Sequence, residues 1–132
     1  MKLTDIKKAI NSVMRDNFPD HKLYADDIRE GFKRPCFFIE FLPVVRDNEG
    51  GGFYSRRVSV VINYFSKNGT DLENIKMQDK LEQIFSQVLK IDDRVITINS
   101  TNGYITDSVL HFSFNIDYLD SIDKTEQYGY DP

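Results

Sequence analysis

Few residues in this sequence could perform chemistry. Cys36 is the only cysteine, and it lies in the apolar run at residues 35–39 with no base nearby in the sequence. A reactive thiol needs such a base or an electropositive niche, so we expect a buried, inert thiol. His111, Ser113 and Asp117 lie in a row along one predicted strand, whereas a catalytic triad places its base between the nucleophile and the orienting carboxylate. We therefore predict a polar sheet face there, in contact with water or with a partner.

The other candidates for catalysis or ligand binding favour ordinary structural roles. His21 follows Asp20 in a predicted surface loop, where we expect it to be solvated. The adjacent aspartates at 26–27 and at 92–93 point apart on extended backbone, so neither pair forms an obvious metal clamp. The glycines at 50–52 lack the Gly-Lys-Ser/Thr ending of a phosphate loop, and they precede a strand rather than a helix. We therefore predict no enzymatic activity, no cofactor and no metal site.

Glycines, aromatics and arginines form an unusual pattern between two predicted strands. Residues 44–52 end in three glycines, which have too high a backbone entropy for a regular element and predict a long mobile connection. The aromatic and arginine side chains that follow are the types that dominate interface energies, and such a segment often becomes ordered on contact. We predict that the hairpin at 44–57 contacts another protein chain. The predicted contact residues are Arg46, Glu49, Gly50, Gly51, Gly52, Phe53, Tyr54, Arg56 and Arg57. The alternatives are an ordinary disordered loop, or phosphate binding by the two adjacent arginines, although two arginines make no nucleic-acid footprint.

Hydrophobic periodicity predicts the elements that must position these residues. The first helix is predicted at 4–18, with its apolar side formed by Ile6, Ile10, Val13, Met14 and Phe18. The second helix is predicted at 71–89, with an apolar face formed by Leu72, Ile75, Leu81, Ile84, Phe85, Val88 and Leu89. Strands are predicted at residues 21–26, 35–43, 53–65, 95–98 and 108–119, and turns at residues 26–31, 66–69 and 102–103.

These elements indicate one domain of the α+β class. The chain has 132 residues and a mass of 15.4 kDa, which is the size of a single domain. We predict two layers: a mainly antiparallel sheet with two helices packed on one face, in the order α-(β)-β-β-α-β-β. This domain is predicted to span residues 1–119. We predict that residues 120–132 form an acidic C-terminal tail, because residues 100–132 contain six acidic residues and one basic residue, Lys124.

Composition limits the classes of partner. The net charge is −4 and the isoelectric point is about 5.1, so the chain is a poor general binder of nucleic acid. No apolar run approaches the ~20 residues of a membrane span, and the first residues lack the apolar stretch of a secretory signal. One cysteine excludes an internal disulfide framework. We expect a protein made in a reducing cytosol, with no membrane partner.

Three segments carry a resemblance to a known family. They are Leu3-Thr4-Asp5-Ile6-Lys7-Lys8-Ala9-Ile10-Asn11, then Ile28-Arg29-Glu30-Gly31-Phe32-Lys33-Arg34-Pro35-Cys36-Phe37-Phe38-Ile39, and the strand end Tyr64-Phe65 before the second helix. With these segments the chain resembles the tail terminator (tail completion) proteins of phages and prophage-derived particles of Gram-positive bacteria. The resemblance covers roughly residues 3–119 and is a general pattern rather than a catalytic motif. The predicted element order is also similar to that of tail terminators, which are α+β domains.

The resemblance implies a structural function in the virion tail, after synthesis in the cytoplasm of the bacterial host. Six copies would form a ring on the last ring of tail-tube subunits, stop tube polymerisation and present a surface to the head connector proteins. DNA would pass through the ring without specific binding, and ring closure would be head-to-tail. Two alternatives stay open, namely another head–tail connector or neck subunit, and a small-molecule-binding enzyme with a deep pocket. The sequence does not decide between a contractile and a non-contractile tail.

Overall fold

Two helices and seven strands form the described part of the chain. The structure is a computed structural model, and it describes residues 1–24, 31–86 and 88–121. The elements are α1 (Leu3–Asn17), β1 (Lys22–Tyr24), β2 (Cys36–Gly50), β3 (Phe53–Phe65), α2 (Asp71–Ile84), β4 (Val88–Ile91), β5 (Arg94–Thr97), β6 (Thr101–Thr106) and β7 (Val109–Ser121). The turn predicted at 26–31 lies mostly outside the described residues.

A five-stranded sheet in the order β1-β2-β3-β7-β6 is the centre of the fold, and β4 and β5 form a separate pair. The short edge strand β1 runs parallel to β2, and the other neighbours are antiparallel. Two helices with a mostly antiparallel sheet confirm the predicted α+β class. The structure adds two strands to the predicted order. One is β4, which the sequence assigned to the second helix, and the other is β6, which contains the predicted turn at 102–103.

The hydrophobic core lies on one face of the sheet, which we call the helix face. From β3 it includes Val58, Val60 and Ile62, each at most 1% exposed, and α1 contributes Ile6, Ile10 and Met14. Side chains of α2 and of the β4–β5 pair complete this core. The alternation predicted for β3 and the apolar face predicted for the first helix are therefore confirmed. We call the opposite side of the sheet the open face, because none of the described helices packs there.

The predicted apolar face of the second helix is wrong in two respects. The helix ends at Ile84, and the chain then turns so that Leu89 enters the core from β4. The buried side of α2 carries Asn74, Met77 and Leu81, whereas Leu72 and Ile75 are 61% and 54% exposed. Asn74 replaces an apolar residue on the buried side because its Nδ2 donates a hydrogen bond to the Ser108 carbonyl at 3.1 Å.

The turn predicted at Asn102-Gly103 is also wrong, since both residues lie inside β6 and pair with β7. The chain reverses instead at Asp107-Ser108, where both residues have positive φ, as a two-residue hairpin of type I′ requires. Gly103 has a different reason to be glycine. A Cβ there would collide with the side-chain amide of Gln78 on α2, so glycine leaves room for this amide against the strand.

At the C-terminal side, β7 extends to Ser121, two residues beyond the boundary predicted at 119. Asp120 lies in this extension, and its carboxylate pairs with the Met1 amino group at 2.6 Å and with Arg94 at 3.4 Å. The rest of the predicted tail, residues 122–132, lies outside the described residues. The division into a domain and an acidic tail therefore stays a prediction.

Candidate interaction surface

The predicted hairpin is part of a three-stranded extension of the sheet. Residues 45–50 of β2 pair with 53–57 of β3, and the same part of β3 pairs with residues 117–121 of β7. We call residues 45–57 and 117–121 the arm. Every residue of 45–57 is at least partly exposed, whereas the core begins at Val58. Residues 45–57 are thus held mainly by backbone pairing. The β7 part of the arm is also tied to the rest of the domain, because Tyr118 is buried in the core and Asp120 pairs with Met1 and Arg94.

The glycine-rich segment is a tight turn and not the long mobile connection predicted from the sequence. Strand β2 continues to Gly50, and only Gly51 and Gly52 connect it to β3. These three glycines all have positive φ, a conformation that other residues adopt at a cost. Asn48 Oδ1 accepts a hydrogen bond from the Gly50 amide at 3.0 Å. The glycines therefore form a tight hairpin tip. The prediction missed it because the pairing of β3 with β7 along its whole length is not visible in the sequence.

One side of the arm, continuous with the helix face, combines arginines and tyrosines. The Arg46 guanidinium lies 4.2 Å from the centre of the Tyr54 ring. Arg56 pairs with Tyr118 across the strands. Burial raises the pKa of Tyr118, while the positive charge of Arg56 acts in the opposite direction. Among the described residues the Tyr118 hydroxyl has no hydrogen-bond partner. A buried hydroxyl without a partner therefore lies next to Arg56 of the neighbouring strand.

The other side of the arm, continuous with the open face, is apolar with one ion pair. Val45, Phe53 and Leu119 are 39%, 46% and 54% exposed. Between them, Arg57 Nε lies 2.7 Å from Asp117 Oδ1, and both side chains are about half exposed. An exposed pair of this kind stabilises a fold by only about 0.2–1 kcal/mol, so its charges remain available to a partner. A cleft of about 480 Å³ beside these residues is lined in part by Val45 and Arg57.

The comparison with known families identifies the kind of protein. The family described as phage tail terminator protein matches residues 5–128. The chain belongs to this family. No curated protein sequence matches the chain. The resemblance found in the sequence is therefore confirmed at the level of the tail terminator family, and with it a structural role in the phage tail and a place in the virion tail.

The structure brings the nine predicted contact residues of this tail terminator together on the arm, but it distributes them over three places. Arg46, Tyr54 and Arg56 lie on the helix-face side, and Phe53 and Arg57 lie on the open-face side. The tip contains Glu49, Gly50, Gly51 and Gly52, and Ser55 donates a hydrogen bond to the Glu49 carboxylate at 2.6 Å. Their role as an interface stays a prediction.

Sequence reasoning missed the contribution of β7 to the arm. Leu119 and Asp117 stand beside the predicted residues only because β7 is the neighbour of β3. Leu119 was assigned to the end of a strand, and Asp117 to a polar face. The alternation in β7 was visible in the sequence, but the pairing partner was not, since strand order depends on contacts between distant segments.

The residues that were candidates for catalysis or metal binding in the sequence have structural roles in this tail terminator. Cys36 is fully buried, as predicted, and burial raises the pKa of its thiol. His111 lies 2.6 Å from Asn63 Oδ1 through Nδ1 and 3.0 Å from the Thr106 hydroxyl through Nε2. Asp92, with positive φ, is in the turn between β4 and β5. The aspartates at 26–27 lie outside the described residues.

His21 is not the solvated side chain that the sequence predicted. Its ring stacks on Phe37 with centroids 5.2 Å apart and meets Phe18 edge-on at 5.4 Å. Burial, helped by the positive charge of Lys80 and opposed by Asp20, lowers the pKa of His21. The side chain therefore belongs to the edge of the core, and a neutral imidazole fits this position best.

Two further findings concern ligands and membranes. Within residues 1–24, 31–86 and 88–121, no group of three or more His, Cys, Asp and Glu side chains is arranged to hold a metal ion. None of the helices in those ranges is long and apolar enough to cross a membrane.

Proposed function

We propose that this tail terminator caps the end of the tail tube as a ring of six copies, in a phage or prophage-derived particle of a Gram-positive host. The ring stops polymerisation of the tube and presents the surface to which the head connector proteins join. The arm reaches either the neighbouring copy or the tube. No bond is made or broken in this function, since assembly alone changes the end of the tube.

One observation carries the proposal, namely an arm that exposes interface-type side chains without a need for them in the core. Phe53 and Leu119 are about half exposed, and Arg56 and Arg57 are also at least partly exposed. Aromatic residues and arginines are the usual anchors of protein interfaces. A folded domain that keeps such anchors on a backbone-paired extension supports assembly with other chains.

The overall charge supports passage of DNA through the ring. With a net charge of −4, the chain has few cations in excess to neutralise phosphates, and phosphate contacts dominate nonspecific affinity for DNA. A channel built from such subunits therefore does not retain DNA.

The proposal is tested by removing the gene from the particle that encodes it and by examining the tails. We expect tubes of uncontrolled length and heads without tails, and quantitative mass spectrometry of wild-type tails should find the chain at one tube-ring equivalent. Tubes of normal length that fail to join heads would contradict the terminator role and would favour the neck-subunit alternative.

A further inference from the structure

Two arginines lie directly opposite each other on the arm. Arg46 of β2 pairs with Arg56 of β3, and both side chains are at least partly exposed. We call them the arginine pair. Side chains in such positions have Cβ atoms about 4.5–5.5 Å apart, where like charges destabilise a sheet. Within residues 1–24, 31–86 and 88–121 neither guanidinium group forms an ion pair, so the pair is a local excess of positive charge.

A third hydrogen-bond donor continues the same row across the arm. Arg56 is the cross-strand neighbour of Tyr118 in β7, whose side chain is buried. The Tyr118 hydroxyl has no hydrogen-bond partner in the described part of the chain, and a buried polar group in that state destabilises a fold. Three neighbouring side chains on three strands therefore present donors, and none of them has a described carboxylate to donate to.

The carboxylates of the arm do not neutralise the arginine pair. Strand alternation places Asp47 and Asp117 on the other side of the arm, and Glu49 accepts a hydrogen bond from Ser55 of that other side. Asp120 shares the side of the pair, but its carboxylate is engaged by the Met1 amino group at 2.6 Å and by a guanidinium group of β5 at 3.4 Å. The described part of the arm thus supplies no acceptor for this row of donors.

We propose that the arginine pair binds a carboxylate group of another protein chain in the tail, with the Tyr118 hydroxyl as a third donor. The inference rests on the proposed function, which supplies the neighbouring chain. A guanidinium group donates two parallel hydrogen bonds to a carboxylate, and the two oxygens of a carboxylate have room for about four. An Asp or Glu side chain between Arg46 and Arg56 would replace their repulsion by two attractive contacts.

A carboxylate of a protein fits this place better than a nucleic acid or a free small molecule. A nucleic acid is bound by many cations along its path, and two arginines make no such footprint. The other side of the arm has Asp47 and Asp117, which would repel further phosphates. The arginine pair lies on an exposed arm rather than in a closed cavity, so a free carboxylate would have few other contacts. A carboxylate on a chain that docks on the arm has already lost most of its freedom and binds at a smaller entropic cost.

Unfolding of the full chain tests whether these side chains hold the arm together or bind a ligand. Arg56→Gln should leave the Tm unchanged or raise it, because it removes the repulsion from Arg46. Tyr118→Phe should do the same, because it deletes a hydroxyl group without a partner and keeps the ring. A fall of the Tm in both variants would overturn the proposal, since it would give the row a structural role.

Binding is measured on the same proteins with a hexaglutamate peptide as the probe, by NMR of the arginine side chains at low salt. We expect the signals of Arg46 and Arg56 to shift during the titration. Arg56→Gln should weaken binding about tenfold, because it removes a bidentate charged contact, and Arg56→Lys should restore only part of it. Tyr118→Phe should weaken binding about threefold, through one lost hydrogen bond.

Arg57→Gln is the matched control. It removes the same charge one residue further along β3, but Arg57 lies on the other side of the arm, with its Nε 2.7 Å from Asp117 Oδ1. This variant should bind hexaglutamate as the unchanged chain does. An equal loss of binding in Arg57→Gln, or no shift of the signals of the arginine pair, would overturn the site. Tighter binding of a single-stranded oligonucleotide of equal charge would overturn the choice of a carboxylate.

Purified tails distinguish the sources of the carboxylate. The Arg46 guanidinium group stacks on Tyr54, and replacement of Tyr54 by the photo-crosslinker benzoylphenylalanine keeps an aromatic ring there. We expect crosslinked peptides that contain Asp or Glu, either from a second copy of this chain or from the tube subunit. Crosslinks to DNA alone, or none, would contradict the proposal. Normal capping without hexaglutamate binding refutes only this site, whereas binding by a chain whose removal leaves tail length unchanged refutes only the terminator role.

Discussion

Replacing Phe53 with serine should separate the stability of the domain from its assembly. Full burial of a phenylalanine stabilises a fold by about 1.5–3 kcal/mol, and Phe53 is already 46% exposed. The substitution should therefore lower the free energy of unfolding by only about 1 kcal/mol. Phe112 on β7 is the matched control, because it is fully buried and its truncation should cost about 3–5 kcal/mol.

Unfolding by urea, followed by far-ultraviolet circular dichroism, measures both values, since the chain contains no tryptophan. In assembly, by contrast, we expect the exposed Phe53 to matter more than the buried Phe112. An anchor at an interface contributes about 2 kcal/mol or more, which is roughly 30-fold in affinity per contact. Electron microscopy of tails made with Phe53→Ser should show tubes of abnormal length. Normal tails, or a loss of stability near that of the Phe112 variant, would refute the view of the arm as an assembly device.

Three further predictions test the structure elsewhere. Burial and the charge of Lys80 lower the pKa of His21 below its usual 6.5, so the stability given by the neutral ring is complete above pH 6.5 and is lost as the pH falls through the lower folded pKa. Phe in place of His21 should remove this loss. An equal fall of the urea midpoint in both chains, measured from above pH 6.5 to low pH, would contradict it. Gly103→Ala should cost about 1 kcal/mol through its collision with Gln78, and Gln78→Ala should recover that loss in a double-mutant cycle. His111→Ala should lower stability by about 1–2 kcal/mol through two lost hydrogen bonds and leave tail length unchanged, so abnormal tails from a folded variant would place His111 in an interface.

The elements with strict alternation could be predicted from the sequence. In β3, Val58, Val60 and Ile62 face the core while Arg57 and Ser59 face away, and the predicted bounds 53–65 agree with the structure. Successive side chains of a strand point to opposite faces, so an apolar set at every second position decides which face is buried. The place of the nine predicted contact residues in one hairpin could be predicted for a similar reason, because glycines between two alternating runs are visible without tertiary information. Their role as an interface stays a prediction.

Features that depend on distant contacts could not be predicted. Gly103 indicates a turn when only its neighbour Asn102 is considered. The side chain of Gln78 on α2 lies against Gly103, and this contact explains why a glycine occupies a position inside a strand. The glycines at 50–52 predict mobility when read alone. Their strands are fixed by the pairing of β3 with β7, which joins segments about 60 residues apart, as at Arg57 and Asp117.

The wrong face of α2 has a different origin. Periodicity assigns Leu72 and Ile75 to a core because the rule counts apolar side chains at helical spacing and does not detect whether they are removed from water. The monomer buries Asn74 and Met77 instead and leaves the two aliphatic residues exposed. Leu72 and Ile75 therefore mark the limit of the rule, since their spacing gives the side of the helix that they share but not whether that side is buried.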